Sequence, residues 1–178
     1  MKSQACIFDL DGTLLDTLQD LANSVNIALE DFNQPVRTIE EVRAFVGNGV
    51  RKLMQRAVPE GTEEALYERI YERFLEVYDR EKNHHTKPYD GILELIADLK
   101  AKEVACAVLS NKNDDAVAAL CEAHFPNCFE YTQGMRPGVA PKPAPDALFA
   151  LCTRMGIAPK DAVYIGDSEV DVKTAEAA

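Results

Sequence analysis

Short, unbroken apolar runs along the chain end at polar residues or glycine, and they predict the strands of a sheet. The run at 5–8 leads into an Asp-Gly turn, the run at 104–109 into Ser-Asn, and the run at 162–165 into Gly-Asp. A weaker candidate lies at 129–132. Continuous rather than alternating apolar strands are typical of a parallel sheet that is covered on both faces.

Between the later strands, apolar residues recur at helical spacing. The first helical pattern contains Ile92, Leu95, Ile96 and Leu99, and the last one ends at Gly156, a residue suited to terminate a helix. Alternation of strands with helices indicates an α/β fold with a doubly wound parallel sheet.

The segment 16–85 contains only helical patterns. Thr38 and Glu41 have the spacing of a capping box, and Gly47-Asn48-Gly49 interrupts the next helical stripe. About seventy residues are too many for an ordinary crossover between strands, so we predict an inserted helical cap domain. The predicted domains are an α/β core formed by 1–15 and 86–178, and the cap at 16–85.

The composition argues against nucleic-acid-binding proteins and membrane proteins. The chain has 178 residues, 47% of them hydrophobic, and a formal net charge of −11. This acidic balance argues against nucleic-acid binding and against adhesion to an anionic membrane. No apolar run approaches the roughly 20 residues of a membrane span, and the amino terminus does not resemble a signal peptide. Five cysteines without a CxxC pattern indicate free thiols and a cytoplasmic protein.

Polar residues suited to chemistry follow the predicted strands. They are Asp9, Asp11, Gly12 and Thr13 after the first strand, Ser110 and Asn111 after the second, Lys142 on a later loop, and Asp167, Ser168 and Asp171 after the last. Ligands of doubly wound sheets bind beyond the carboxyl ends of the strands, so we expect these residues to meet at one rim. Carboxylates suit Mg²⁺, whereas hydroxyls, backbone N–H groups and lysine suit phosphate.

These residues, taken in order, resemble a known family. Asp9-Leu10-Asp11-Gly12-Thr13, Ser110-Asn111, Lys142-Pro143 and Gly166-Asp167-Ser168 with Asp171 are similar to the four motifs of the haloacid dehalogenase superfamily of phosphatases. The helical insert resembles the small cap of that family. Within the insert, the sequence from Phe45 to Gly49, followed by Leu53, resembles the phosphoglycolate phosphatase branch. The resemblance covers essentially all of the chain and implies a Rossmann-like core.

The resemblance also implies a two-step phosphoryl transfer. Asp9 would be the nucleophile and would carry the phosphoryl group as an aspartyl-phosphate. Asp11 would protonate the leaving oxygen and would then activate the water that releases phosphate. The presence of Asp11 points to a phosphate ester, because family members that act on halides or phosphonates lack this second aspartate.

A metal ion and a phosphate-binding set are implied in the same way. Mg²⁺ would be held by the carboxylates of Asp9 and Asp167 and by the backbone carbonyl of Asp11, and Asp171 would support these ligands indirectly. No histidine or cysteine stands at metal spacing beside them, which favours Mg²⁺ over zinc.

The implied phosphate ligands are Ser110, the backbone of Asn111, and Lys142. Lys142 would neutralise the charge that the phosphate shares with the nucleophile, and Thr13, of the same set, would orient that nucleophile. The expected partner is a small phosphorylated metabolite. The alternatives are a phosphatase or phosphomutase that acts on a sugar phosphate and, from another class, a phospho-accepting receiver or an inactive scaffold.

Discrimination between substrates would come from the cap, because the core motifs bind only groups that all substrates share. Gly47, Asn48 and Gly49 form the break in the helical insert, and Arg51 follows them. We expect this loop and Arg51 to contact the part of the substrate that is not phosphate.

The carboxyl end of the chain departs from the family pattern. The sequence stops at Ala178, in a helix expected to begin near Val170, whereas family members usually continue through a further strand and helix. The core is therefore expected to be truncated, with the last strand at an edge of the sheet.

Overall fold

Residues 5–178 are described by a computed structural model, in which six strands and eight α-helices are assigned. The strands are β1 (Ala5–Phe8), β2 (Leu15–Asp16), β3 (Lys87–Pro88), β4 (Ala105–Asn113), β5 (Tyr131–Met135) and β6 (Ala162–Ile165). The helices are α1 (Leu18–Asp31), α2 (Ile39–Phe45), α3 (Val50–Ala57), α4 (Glu64–Glu81), α5 (Ile92–Ala101), α6 (Asp114–His124), α7 (Asp146–Met155) and α8 (Glu169–Ala177). None of these helices has the length and apolar composition needed to cross a bilayer.

Four strands form a parallel sheet in the order β5-β4-β1-β6, which confirms the predicted α/β fold class. β1 lies between β4 and β6, with Ile7 in register with Ala107 on one side and Tyr164 on the other. All four β1 residues are buried, as the unbroken apolar run requires. β6 lies at an edge of the sheet, and Val163 on it is exposed.

Helices cover both faces of the sheet. On one face, Phe8 and Val108 pack with Leu120 of α6 and with Ile96 of α5. On the other face, Ile7, Ala107 and Leu109 pack with Leu148 and Leu151 of α7. Alternate residues of β1 and β4 therefore face opposite layers, and the core of this unit has two apolar layers with the sheet between them.

Two strand boundaries differ from the sequence prediction. β5 begins at Tyr131 and ends at Met135, later than the predicted 129–132. β4 does not stop at Leu109 but continues to Asn113, with an irregularity in its pairing to β5 after Leu109. Ser110 and Asn111 therefore lie inside the strand rather than after it. Apolar content alone could not reveal this extension, because its residues are polar.

The chain divides into two compact units, one ending at Leu15 and resuming at Pro88–Ala178, the other formed by Asp16–Lys87. The core of the second unit is apolar side chains from its four helices, including Val25 and Leu29 of α1, Met54 of α3, and Ile70 and Phe74 of α4. The capping box predicted at the start of α2 is present, and the predicted helix break separates α2 from α3.

The return from the helical unit lies at Lys87, later than the boundary at 85 expected from the sequence. The reason is the carboxylate of Asp20, which is 1% exposed. It accepts hydrogen bonds from the backbone N–H groups of His85 at 3.0 Å and Thr86 at 2.8 Å, and from the Thr86 hydroxyl at 2.8 Å. These bonds attach the end of the segment to α1.

Replacing Asp20 by Asn should lower the free energy of unfolding by about 2 kcal/mol, the scale of hydrogen bonds to a charged group. Burial by itself raises the pKa of Asp20, but the hydrogen bonds from His85 and Thr86 outweigh it and hold the pKa below its usual value. The stabilisation is therefore present above the unfolded-state pKa of about 4 and is lost as the pH falls through the lower folded-state pKa.

Urea denaturation at several pH values measures this difference. The matched control is Asp31→Asn on the same helix, where the carboxylate pairs with Arg73 at the surface. That variant should change stability by less than about 1 kcal/mol. An Asp20→Asn protein as stable as the control at pH 7 would contradict the role given to the buried carboxylate.

Candidate functional site

Three carboxylates meet beyond the carboxyl ends of β1 and β6. Asp9 continues the pairing of these strands, because its backbone N–H donates to the carbonyl of Ile165 at 2.8 Å. One carboxylate oxygen from each of Asp9, Asp167 and Asp171 lies within 4.8 Å of the others. The backbone N–H of Leu10 donates to the Asp9 carboxylate at 2.7 Å and fixes its direction.

Two glycines allow this close approach. Gly12 has a φ of +85°, and a Cβ at this position would collide with the carboxylate of Asp167. A Cβ at Gly166 would collide in the same way with the side chain of Asp171. The Asp-Gly and Gly-Asp pairs that mark the strand ends in the sequence are therefore required by the packing of the site as well as by the turns.

The buried ammonium group of Lys142 joins two of the carboxylates. Its Nζ lies 3.0 Å from Asp9 Oδ1 and 2.6 Å from Asp171 Oδ1, and it donates to the Tyr164 hydroxyl at 2.9 Å and to the Leu109 carbonyl at 3.3 Å. The side chain of Lys142 is only 2% exposed. Lys142 is thus committed to the nucleophile candidate and to the residues that support it.

Asn111 holds the backbone that carries Lys142. Its side-chain Nδ2 donates to the Lys142 carbonyl at 2.9 Å, and its Oδ1 accepts from the Lys142 N–H at 2.9 Å. The sequence predicts a role for the backbone of Asn111, and this reciprocal pair adds a function for its side chain. The neighbouring Ser110 is buried, and its hydroxyl accepts from the backbone N–H of Lys112 at 3.2 Å.

Burial and neighbouring charges shift the pKa values of the three carboxylates. Burial raises the pKa of Asp9 to about 6, Lys142 opposes this rise, and Asp171 and Asp11 add to it. The pKa of Asp167 is also raised, chiefly by burial. Burial raises the pKa of Asp171 as well, but Lys142 and Ser168 outweigh it and the net shift is downward. An all-oxygen donor set with surplus negative charge fits a hard divalent cation such as Mg²⁺.

Asp171, expected to support the metal ligands indirectly, is itself held by the N-cap residue of α8 and by a residue of β6. Ser168 and Asp171 form a capping box at the start of α8, in which the Ser168 N–H donates to the Asp171 carboxylate at 3.1 Å. The Tyr164 hydroxyl, which the sequence analysis did not identify, donates to the same carboxylate at 3.0 Å. A helix cap therefore positions Asp171 within the carboxylate group.

Thr13 contacts a different carboxylate from the one expected. Its hydroxyl donates to Asp167 Oδ1 at 3.1 Å, so in this structure it orients Asp167 rather than the nucleophile candidate Asp9. The partial exposure of the Thr13–Asp167 pair contrasts with the burial of Asp9.

Lys112 is a site residue that the sequence analysis missed. Its Nζ lies 2.9 Å from both carboxylate oxygens of Asp11, and the side chains are 5% and 16% exposed. Lys112 and Ser110 are two residues apart in β4, which places both on the same face of the strand. A strand predicted to continue past Leu109 would have placed Lys112 on the same face as Ser110 and so indicated it as a site residue.

The four specificity candidates belong to the helical unit. Arg56 donates to the Phe45 carbonyl and to Asn48 Oδ1, both at 2.8 Å, and so secures the loop with Gly47 and Gly49. The guanidinium of Arg51 forms a two-pronged ion pair with Glu68 at 2.6 and 3.0 Å. Arg51 also lies over the Tyr71 ring, 4.5 Å from its centroid.

Comparison with known proteins gives consistent matches. A family model described as haloacid dehalogenase-like hydrolase matches residues 6–178. A phosphoglycolate phosphatase of Pseudomonas syringae pv. tomato is 36% identical over 97% of this chain, and the match covers 65% of that relative. The chain thus spans slightly less than two thirds of the length of the Pseudomonas relatives.

Two further matches cover more of the related protein. A phosphoglycolate phosphatase of Haemophilus influenzae is 35% identical, and the match covers 96% of this chain and 80% of the relative. A crystal structure from Lactobacillus delbrueckii subsp. bulgaricus superposes with a TM-score of 0.94 at 35% identity, and the match covers 99% of this chain and 83% of that one.

Replacing Lys142 by Met should lower the free energy of unfolding by about 3 kcal/mol or more, because it leaves buried carboxylates without their cation. The loss should be smaller at pH 5 than at pH 8. Without Lys142, Asp9 and Asp171 bind protons more tightly in the folded state, and the variant gains stability as the pH falls.

Lys173→Met is the matched control, since Lys173 forms an exposed ion pair with Glu169 on α8. We expect that change to have an effect below about 1 kcal/mol. Chemical denaturation of both variants at the two pH values provides the comparison. A Lys142→Met loss that is no larger than that of the control, or that grows as the pH falls, would refute this electrostatic account.

Proposed function

Since the chain belongs to the haloacid dehalogenase-like hydrolase family, we propose that it hydrolyses a small phosphate monoester of the phosphoglycolate type. The observation that carries the proposal is the buried carboxylate of Asp9 against Lys142 at 3.0 Å, with the carboxylate of Asp11 two residues further along the rim. The names of the relatives from Pseudomonas and Haemophilus support the same reaction class.

In the first step a carboxylate oxygen of Asp9 attacks phosphorus. The new bond from Asp9 to phosphorus forms as the bond from phosphorus to the ester oxygen breaks, and Asp11 gives a proton to the departing alcohol. Lys142 offsets the negative charge that gathers between Asp9 and the phosphoryl group. The Ser110 hydroxyl and the backbone N–H of Asn111 bind phosphoryl oxygens, and Asn111 keeps Lys142 in place through its side chain.

In the second step water attacks the phosphorus of the aspartyl-phosphate. Asp11, now ionised, accepts a proton from that water, and the bond between phosphorus and Asp9 breaks. Inorganic phosphate leaves, the carboxylate of Asp9 is restored, and Asp11 carries the proton needed for the next cycle. The same residue thus serves first as acid and then as base.

Mg²⁺ is part of the proposal. The carboxylates of Asp9 and Asp167 and the backbone carbonyl of Asp11 would hold it, and the nearby carboxylate of Asp171 would support these ligands indirectly. When bound, the cation supplies positive charge against the phosphoryl oxygens. Thr13 and Lys142 orient two of these carboxylates through their own contacts.

Substrate selection by the helical unit is also proposed. Gly47, Asn48, Gly49 and Arg51 contact the part of the ester that is not phosphate. Arg56 holds the loop in one conformation through Asn48, which suits a surface that contacts a ligand. Glu68 pairs with Arg51, so an acidic substrate group would compete with Glu68 for that guanidinium.

A cytoplasmic location of the protein is also proposed, on the basis of its cysteines. All five cysteines are free thiols in the structure. Burial raises the pKa of Cys106 to about 11 and that of Cys121 to about 12, so these two thiols are poor nucleophiles at neutral pH. Unpaired cysteines are the ordinary state in a reducing compartment, where small phosphorylated metabolites are also found.

Replacing Asp9 by Asn keeps the shape of the side chain and removes the attacking charge. Phosphate release from a small ester should fall by at least about 10³-fold, as it does when other covalent catalytic groups are removed. The control is Asp98→Asn, an exposed change on α5 that should leave the rate unaltered. Near-normal phosphate release by Asp9→Asn would remove Asp9 from the nucleophile role. A phosphoprotein that persists without phosphate release would instead favour a phospho-accepting receiver.

Removal of divalent metal should abolish activity, and Mg²⁺ should restore it, because the donor set consists of carboxylate oxygens. Mg²⁺ at about 100 times its dissociation constant should also stabilise the folded chain by about 2.7 kcal/mol. Thermal denaturation with and without Mg²⁺ measures this effect directly.

Asp167→Asn should weaken the thermal shift, whereas Asp98→Asn should preserve it. Full activity after exhaustive chelation, or recovery with zinc but not with Mg²⁺, would overturn the metal assignment. The denaturation measurement keeps metal binding testable even where a variant has lost turnover.

A further inference from the structure

Besides Lys142, a second lysine lies buried at the rim of the α/β unit. Lys112 Nζ lies 2.9 Å from each carboxylate oxygen of Asp11. The two lysines have different partners, since Lys142 contacts Asp9, Asp171 and the Tyr164 hydroxyl. Neither the motifs nor the proposed reaction steps give Lys112 a function.

The backbone around Lys112 is fixed from both sides. Its N–H donates to the Ser110 hydroxyl at 3.2 Å, and β4 pairs with β5 as far as Asn113. Two residues further on, the Asp114 carboxylate accepts from the Gly134 N–H at 2.7 Å and from Arg136 Nε at 2.9 Å. These contacts tie the start of α6 to β5 and hold the backbone that carries Lys112.

The position beside Asp11 is next to the leaving group. To protonate the ester oxygen, Asp11 has to come within hydrogen-bond distance of it, about 2.6–3.2 Å. Lys112 touches the same carboxylate, so its ammonium lies one contact away from the departing alcohol. In an ester of the glycolate type, the carboxyl carbon is only two covalent bonds from the leaving oxygen, so a group that contacts Asp11 is a candidate partner for that carboxylate.

The excess of negative charge at this rim would make a contact between Lys112 and a substrate carboxylate favourable. Asp9, Asp11, Asp167 and Asp171 already place four carboxylates at this rim. A substrate carboxylate would enter this negative field at a large cost unless a cation met it. Lys142 contacts Asp9 and Asp171, whereas Lys112 contacts Asp11.

We propose that Lys112 recognises the negative charge of the leaving group, so that the site prefers phosphate esters whose alcohol carries a carboxylate. This inference rests on the proposed function and adds the residue that sets its substrate class. The preference arises because an ester with a neutral alcohol gains nothing from the ammonium. Arg51 of the helical unit is the competing cation, and its guanidinium is bound by Glu68.

The test compares three phosphate esters. They are 2-phosphoglycolate, its neutral counterpart 2-hydroxyethyl phosphate, and p-nitrophenyl phosphate, whose leaving group needs little help from an acid. Lys112→Met should lower kcat/KM for the carboxylate ester about 10- to 100-fold, mainly through KM, because the contact is present before and during the reaction. The neutral ester should lose less than about threefold, so its rate relative to 2-phosphoglycolate should rise.

Three further variants separate the charge of Lys112 from effects on the fold and from Arg51 of the helical unit. Lys112→Arg keeps the positive charge and should retain the preference for 2-phosphoglycolate even if its rate falls. Lys173→Met removes a lysine from an exposed ion pair with Glu169 and should leave all three rates unchanged. Arg51→Gln should leave the relative rates of the carboxylate and neutral esters closer to wild type than Lys112→Met does.

Other outcomes would overturn the inference. Equal losses on both alkyl esters, with the aryl ester spared and kcat affected more than KM, would show that Lys112 only positions Asp11. A preference lost in Arg51→Gln but kept in Lys112→Met would move charge recognition to the helical unit. Absence of wild-type turnover on all three esters would overturn the proposed function itself, and this inference with it.

Discussion

The ammonium group of Lys142, buried between Asp9 and Asp171, is the contact on which the rest of the site depends. It is the cation that lets two buried carboxylates lie close together, and it still leaves the pKa of Asp9 at about 6 because burial and the neighbouring carboxylates outweigh it. A site with this surplus of negative charge is incomplete electrostatically. In the proposed reaction, a divalent cation would offset this negative charge and also the charge that a phosphoryl group brings to the site.

Each catalytic candidate is held by a structural feature of its own. Asn111 binds the backbone of Lys142, and the capping box of α8 directs Asp171. The absence of a side chain at Gly12 and Gly166 leaves room for the carboxylates. Fixing the residues before substrate arrives lowers the reorganisation needed during the reaction. These contacts give the glycines and Asn111 of the short motifs a structural role in the site.

The sequence predicts the elements best where burial dictates a pattern. The bounds of β1 and β6 agree with their apolar runs. β1 is buried throughout because it lies between two strands, whereas β6 lies at the edge of the sheet and is only partly buried. The end of β4 could not be predicted in this way, since Ser110 to Asn113 are polar and are stabilised by contacts of the site. Lys112 was missed with that extension. Asp20 and Tyr164 were missed because their partners are distant in sequence or lie on another element.

Buried ion pairs are poor sources of stability, because desolvation consumes most of the attraction between the charges. The pair between Lys112 and Asp11 is therefore not explained by the fold, whose apolar layers lie on either side of the sheet. Both buried lysines stand instead at the polar rim, where ligand charge has to be met. In the proposed reaction, Lys142 would act at the phosphoryl end that all substrates share, whereas Lys112 lies beside the proposed general acid Asp11. On this view, discrimination begins within the α/β unit, at the residue next to the general acid.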